Sequence, residues 1–364
     1  MQGGIQLADG RSLLIYQDID RTCKQIEKFS PKDARTYRDV YERFTHMNEL
    51  LMVSFFNPPT KPSVTPAMME GTSEGMELLR MIASTPERIV DDLFETDALK
   101  SWLLVTTAQL GNPTDRYGSG AAIAHDCTSA HHPRHAWGVC VCLSRMAAEA
   151  MAKVIEAYRG KCVRDAHVEK ILVEDGRATG VELADGTKIT ARKLVISNAG
   201  HPYTVNHLVG EEEWGKEGKG FVEGVKRFRP DEIVLFTPHL ALNEAPKWKD
   251  WEGNPDILKA FVVVFGTDTP EMLRTQFEDI RALIPPRNPG GFSCMHSVID
   301  PTICPQGKHV AFLWQFTCYD LRGDARNWDN EKQKVGDHIL AKWREYAPNL
   351  TEENIIDRYY DSPL

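Results

Sequence analysis

The stretch from His167 to Gly200 constrains the fold more than any other part of the chain. His167-Val-Glu-Lys-Ile-Leu-Val173 alternates polar and apolar residues, the period-2 pattern of a half-buried strand. Glu174-Asp-Gly-Arg177 reads as a turn, because Asp-Gly tolerates the positive φ that a tight hairpin demands. Ala178-Thr-Gly-Val-Glu-Leu183 is a second strand, Ala184-Asp-Gly-Thr187 a second turn, and Lys188-Ile-Thr190 leads onward. Lys193-Leu-Val-Ile-Ser197 reads as a short apolar strand that exits through Asn198-Ala199-Gly200. A meander followed by a buried strand with a glycine exit is thus expected in mid-chain.

Helical and extended segments flank it. Gly4 to Tyr16 alternates around Asp9-Gly10 and predicts a hairpin; Asp18 or Asp20 caps a short helix through Phe29. Ser30-Pro31 opens a longer helix with Tyr37, Val40, Tyr41, Phe44, Met47, Leu50 and Leu51 on one face. Residues 68–109 read as a helical block, with Thr85-Pro86-Glu87 starting one segment and Asp97 capping another through Ala108. These helices form a layer suited to covering a substrate cavity or simply to core packing. Residues 111–137 read as a Gly/His-rich connection, and Leu143 to Tyr158 as a helix with Met146, Ala150, Met151 and Val154 on one side. Farther on, Glu232–Leu242, Leu258–Phe265, Ser293–Ile299 and His309–Thr317 read as strands. Thr269-Pro270-Glu271 opens a helix through Ile284, Asp329 caps one through Tyr346 with Val335, Ile339, Leu340 and Trp343 inward, and Pro285 to Gly291 reads as an exposed loop. The pattern is mixed α+β.

Charge and cysteine usage narrow the function. Acidic residues outnumber basic ones by 52 to 43, giving −9 in 364 residues, so the chain has no net attraction for nucleic-acid phosphate and no nucleic-acid partner is expected. No apolar run approaches the roughly 20 residues of a spanning helix. Met1 to Gly10 lacks the basic-then-apolar pattern of a secretory signal. Eight cysteines are too few for a disulfide scaffold of this length, which points to reduced thiols and a cytoplasmic location.

The segment from Leu143 to Gly200 resembles the phytoene-desaturase-like branch of the FAD-dependent, amine-oxidase-like oxidoreductases. The residues that carry the resemblance are the helix Leu143 to Tyr158, Val168-Glu-Lys-Ile, Glu174-Asp-Gly-Arg-Ala-Thr-Gly-Val-Glu-Leu-Ala-Asp-Gly186 and Leu194-Val-Ile-Ser-Asn-Ala-Gly200. Leu7-Ala-Asp-Gly-Arg-Ser-Leu13, Asp18-Ile-Asp-Arg21 and Phe29-Ser-Pro-Lys-Asp-Ala34 resemble that family's entry into its substrate domain. The resemblance implies a two-domain α/β fold (α+β mixed): mostly substrate domain over residues 1–137 and 211–364, with an FAD-facing part of the cofactor domain over 138–210. It implies FAD as cofactor and hydride removal from a small apolar, polyene- or lipid-like substrate, with an amine as the next choice. Membrane-surface association is compatible with such a substrate. It places Val168 beside the adenine and Asn198, Ala199, Gly200 and Gly138 where the backbone passes close to the dinucleotide, since glycine has no Cβ to obstruct the approach. No catalytic acid or base is legible, as expected where the flavin carries the chemistry.

The chain departs from that pattern in three places. It contains no Gly-x-Gly-x-x-Gly to hold a pyrophosphate at a helix N-terminus. It stops at Tyr359-Tyr-Asp-Ser-Pro-Leu364, where the family continues into a Gly-rich segment. Trp137-Gly138-Val139 keeps one glycine where the family has a pair. The chain therefore reads as the middle of a longer flavoenzyme or as a natural short form, and the alternative function is a non-catalytic substrate-binding or interaction domain. His125, Cys127, His131, His132, His135, Cys140 and Cys142 cluster, but their spacing matches no paired Cys-x-x-Cys site, so no metal site is assigned; a metal-dependent enzyme is the weakest reading. Glu211-Glu-Glu213 and Glu352-Glu353 read as solvated faces.

Overall fold

Asp9-Gly10 turns the chain as its sequence predicts. Gly10 takes φ +96°, and the turn joins β1 (Gly3–Gln6) to β2 (Ser12–Ile15). The computed structural model describes residues 3–364 apart from 56, 59–60, 62, 110, 112, 133–143 and 230–231. Gly138, His135, Cys140 and Cys142 lie outside the described residues, as do the side chains of Met47, Leu50 and Leu51.

Local capping chemistry starts the first helices. The Asp18 carboxylate accepts from the N–H groups of Asp20 and Arg21 at the head of α1 (Ile19–Glu27). Ser30 Oγ accepts from Asp33 N–H at 3.1 Å and starts α2 (Pro31–Phe55), which buries Tyr37, Val40 and Phe44. α3 (Val64–Met69), α4 (Ser73–Ile82), α5 (Pro86–Leu93) and α6 (Asp97–Ala108) follow, with Thr85 capping α5 through Arg88 N–H. Asp97, however, does not cap α6. Thr96 holds the cap position without a side-chain bond, and the buried Asp33 carboxylate accepts from Glu95 and Thr96 N–H at 2.8–3.2 Å instead. That cap arrives from another helix, so local spacing could not reveal it. A second correction is α7 (Ala122–Ser129), a helix inside the expected Gly/His connection. Gly111, Gly118 and Gly120 all precede it, and Ile123, Ala124 and Cys127 give it a buried side.

The chain continues through α8 (Ser144–Ala157), β3 (Val168–Glu174), β4 (Arg177–Leu183), β5 (Lys188–Thr190), α9 (His201–Tyr203), a π-helical turn at Thr204–Gly210 and α10 (Gly215–Lys226). Residues 145–230 form one compact unit. Its sheet is the expected meander, β3-β4-β5, with Asp175 and Gly176 at φ 50° and 73° in the first turn. The fourth strand, at Lys193–Ser197, is absent. Apolar residues supply side chains but not a ladder, and no strand among the described residues pairs with this segment. Ile196 is 83% exposed. α8 buries no residue either, although Met146, Met151 and Val154 are apolar. The core of this unit is the small cluster of Val205, Val222 and Val225 with Trp214 packed on it.

Residues 1–144 and 231–364 form the other unit. Its later elements are β6 (Val234–Leu242), β7 (Val262–Phe265), α11 (Pro270–Arg281), β8 (Gly291–Cys294), α12 (His296–Ile299), β9 (His309–Thr317), α13 (Trp328–Tyr346) and β10 (Ile355–Asp361). Among the described residues seven strands form one sheet in the order β10-β6-β9-β8-β7-β1-β2, antiparallel throughout except for β1 beside β7. Four local expectations change. Residues 255–259 are a 3₁₀ turn rather than the start of β7. The strand read as Ser293–Ile299 ends at Cys294 and gives way to α12. Asp329 lies inside α13, whose cap position is Asn327. The expected exposed loop is buried at Pro289 and Gly290, because Gly290 packs directly on Gly266 and its N–H donates to Gln315 Oε1 at 2.7 Å. α13 buries Val335, Ile339, Leu340 and Trp343 as its spacing predicts, and Gly336 leaves room for the Tyr360 ring.

Two outcomes test this account. Asp33→Ala should cost about 1–2 kcal/mol in urea unfolding, since it strips the cap from α6. Asp126 on α7 meets Thr106 and Thr107 of α6 at 2.9 and 2.8 Å, and burial pushes its carboxyl from 3.8 up to about 7. The folded state therefore holds this proton more tightly than the unfolded chain, so stability falls as pH rises from about 4 to about 7. Asp126→Asn should flatten that fall, measured by unfolding at pH 5 and pH 8.

Candidate functional site

The large sheet is covered unequally on its two faces. On one face Phe236, Leu240 and Leu242 of β6 are buried, and Phe236 meets Trp328 of α13 at 5.5 Å. Phe265 of β7 stacks on Trp343 at 5.6 Å and meets Tyr346 at 5.3 Å on the same helix. On the opposite face, α6 sets Trp102 over Phe292 of β8 at 6.3 Å. Beyond that contact the face opens. Leu235 and His239 of β6, Trp314 of β9 and Tyr359 of β10 are exposed there, and Phe312 is half-buried.

Register gathers these side chains. His239 lies opposite Phe312 on β9 and opposite Tyr359 on β10, so their side chains share a face. The His239 ring is 5.9 Å from Phe312 and 6.3 Å from Tyr359, and Phe312 is 5.7 Å from Trp314. α12 adds His296 as a wall. Phe261 stacks on that imidazole at 5.1 Å and 20°, while Phe312 meets it edge-on at 5.1 Å and 85°. His239, His296, Phe312 and Tyr359 line a cavity of about 410 Å³ together with Ala241, Ile303, Val310, Asp357 and Arg358.

The cavity lining carries the charged residues Asp357 and Arg358, the latter paired with Glu352, beside its imidazoles. Burial lowers the pKa of His296, so its neutral form is favoured. Nε2 of His296 is buried without a hydrogen-bond partner. At the rim His239 Nε2 lies 3.4 Å from the Asp361 carboxylate. Cys294, opposite Phe312 on β8, is buried and its thiol is pushed up to about 12, so it stays protonated. The arrangement is a recess whose surface is mostly apolar, with two imidazoles, His239 and His296, and the charged Asp357 and Arg358 in its lining, suited to holding an apolar body beside a few polar groups. It holds no paired carboxylates and no nucleophile beside a base.

The residues expected to face a cofactor lie in the other unit. Val168 is half-buried at the start of β3 and pairs with Leu183. Asn198, Ala199 and Gly200 are consecutive and exposed, and a Cβ added to Gly200 would meet nothing closer than Pro202 Cδ at 4.0 Å. β3 packs against the π-helical turn that follows them. Of the His/Cys cluster, Cys127 is buried in α7, and His131 is committed to Tyr37 Oη at 3.0 Å and to the Gln17 carbonyl at 3.3 Å. Among the described residues no group of three His, Cys, Asp or Glu could hold a metal ion. No helix among them is long and apolar enough to cross a membrane.

Sequence reasoning missed His239, His296, Phe312, Trp314 and Tyr359. The signal available was the placement of His239 in β6 and of Phe312 and Trp314 two apart in β9, one face of each strand. Which face stays open was not legible.

No family model matches the chain. It is 26% identical over 377 residues to one of the limonene dehydrogenase polypeptides of Castellaniella defragrans, a match covering 98% of this chain and 66% of that protein. It is 24% identical over 347 residues to a lycopene-forming phytoene desaturase of Paracoccus, covering 94% of this chain and 63% of the relative. The chain thus spans somewhat under two thirds of the length of these curated relatives. In fold it is similar to the crystal structure of an oxidoreductase from Methanosarcina mazei, with a TM-score of 0.54 at 17% identity over 83% of this chain and 63% of that one. These comparisons agree with the resemblance read from the sequence: the homologues are oxidoreductases and carotenoid desaturases of FAD-dependent families, and the fold is the mixed α/β type expected.

The packing account predicts the effect of removing the central ring. Phe312→Ala should cost about 2 kcal/mol in urea unfolding, below the value for a fully buried phenylalanine because one side of the ring is open.

Proposed function

We propose that this chain, kin to the phytoene-desaturase-like flavoproteins, is the substrate-handling part of an FAD-dependent oxidoreductase that removes hydride from an apolar, polyene- or lipid-like substrate. One observation supports this above others: a sheet buried on one face and open on half of the other, where rings surround a cavity of about 410 Å³. In this reading residues 1–137 and 211–364 are the substrate domain, and 138–210 face the cofactor.

Val168, Asn198, Ala199 and Gly200 would hold part of FAD, and Gly138 would join them. The described residues fit that role, because the backbone at Asn198–Gly200 is exposed and open to close approach. The chemistry FAD supplies when bound is two-electron oxidation at carbon. This chain's residues do the rest. Phe312 and Tyr359 offer flat surface to the substrate, Ile303 and Val310 add apolar wall, and Phe261 and Phe312 fix the plane of His296.

A second reading is a non-catalytic binding module, favoured by the lack of a Gly-x-Gly-x-x-Gly. Titration of the purified chain with FAD separates the two. Saturable quenching of flavin fluorescence is expected. Gly200→Val should leave the melting temperature unchanged, since nothing crowds that position, and weaken FAD by about tenfold, or about 1.4 kcal/mol. A chain that ignores added FAD would leave the binding module as the better account.

A further inference from the structure

We propose that the cavity selects an apolar molecule carrying one hydrogen-bonding oxygen or nitrogen, and that His296 is the residue that reads that group. This rests on the reading of the cavity as the substrate side, and it narrows the substrate class: a pure hydrocarbon would leave the site incomplete.

The state of the His296 imidazole carries the inference. Phe261 and Phe312 clamp the ring by stacking and by an edge contact, each at 5.1 Å. Those contacts fix its plane and satisfy neither nitrogen. Nε2 is buried without a hydrogen-bond partner among the described residues. Other histidines of this unit are committed: His131 to Tyr37 and Gln17, and His338 to the Arg287 carbonyl at 3.0 Å. A buried polar group without a partner is costly and calls for an explanation. Here the ring lines a cavity, which offers one.

The chemistry of the missing partner follows. A neutral imidazole has one N–H donor and one acceptor nitrogen. With no bond on Nε2, a half-turn of the ring, which keeps its plane, exchanges the edge it presents to the cavity. A hydroxyl can donate or accept there, a carbonyl can accept, and an amine can donate. Phe312, Val310, Ala311, Ile303, Leu240 and Ala241 offer shape and apolar surface, and the charged groups of the lining are Asp357, which accepts from Arg358 N–H, and Arg358, which is paired with Glu352. His239 Nε2 lies 3.4 Å from the Asp361 carboxylate, and of the lining residues His296 is the one with a buried side-chain polar atom that has no hydrogen-bond partner among the described residues.

A matched pair of probes tests this: naphthalene and 2-naphthol, titrated into the folded chain by calorimetry, with the histidines ¹⁵N-labelled for NMR. A purely apolar recess prefers naphthalene, because burying an unpaired hydroxyl is unfavourable. The expected result is the reverse, with 2-naphthol bound at least about tenfold tighter. His296→Phe, which keeps a ring between Phe261 and Phe312, should weaken 2-naphthol and leave naphthalene within about twofold. In the parent chain the ¹⁵N resonances absent from that variant should move with 2-naphthol and stay still with naphthalene, a readout that does not depend on the variant's folding. If both probes bind equally and those resonances do not respond, His296 does not read a polar group, while the cavity remains a ligand site. If neither probe binds, the cavity reading itself falls, and this inference with it.

Discussion

The antiparallel pairing of β6 with β9 is the contact on which the rest of the site depends. Its register sets His239 opposite Phe312 and Phe236 opposite Gln315. Because side chains alternate across a strand, that register sends Phe236 into α13 and His239 to the open face. A slip of one residue would bury the histidine and expose the phenylalanine. The hydrophobic packing of α13 thereby fixes the composition of the face it does not touch. β10 then extends the same logic by placing Tyr359 beside His239 while Tyr360 packs toward Gly336.

The cavity is a consequence of incomplete cover. α6 reaches the sheet at Phe292 through Trp102 and α11 at Phe316 through Phe277, and the part around Phe312 is left to α12 and the rings themselves. Glycine sharpens the packing where backbones must touch, as where Gly290 lies on Gly266. The unit of residues 145–230 shows a different balance. Its meander is well formed, yet α8 and the segment around Ile196 keep their apolar side chains exposed. Hydrophobic pattern there marks what a segment can pack against, and the described residues of that unit provide only a small core.

Much of the local structure was legible in the sequence because its causes are local. Asp9-Gly10, Asp175-Gly176, and the caps at Asp18, Ser30, Thr85 and Thr269 act within a few residues of themselves. The inward face of α13 followed from its period. The resemblance in the segment around Val168 and Asn198–Gly200 also lay in residue order, and the similarity to dehydrogenases and desaturases agrees with it. The larger errors turn on partners distant in the chain, while the cap at Asn327 and the ends of β7 and β8 are shifts of a few residues. Asp33 caps α6 from another helix, and Lys193–Ser197 has strand-like residues with no neighbouring strand among the described residues.

The sequence by itself determined the type of most elements, the Asp-Gly turns, the net charge and the family resemblance, because these are set by residue order and short-range sterics. Only the tertiary structure decided the site. His239, His296, Phe312 and Tyr359 come from separate elements, and none carries a local signal of function. They meet because strand register and one-sided helix packing bring them to the same open face, and long-range packing of that kind is invisible to spacing along the chain.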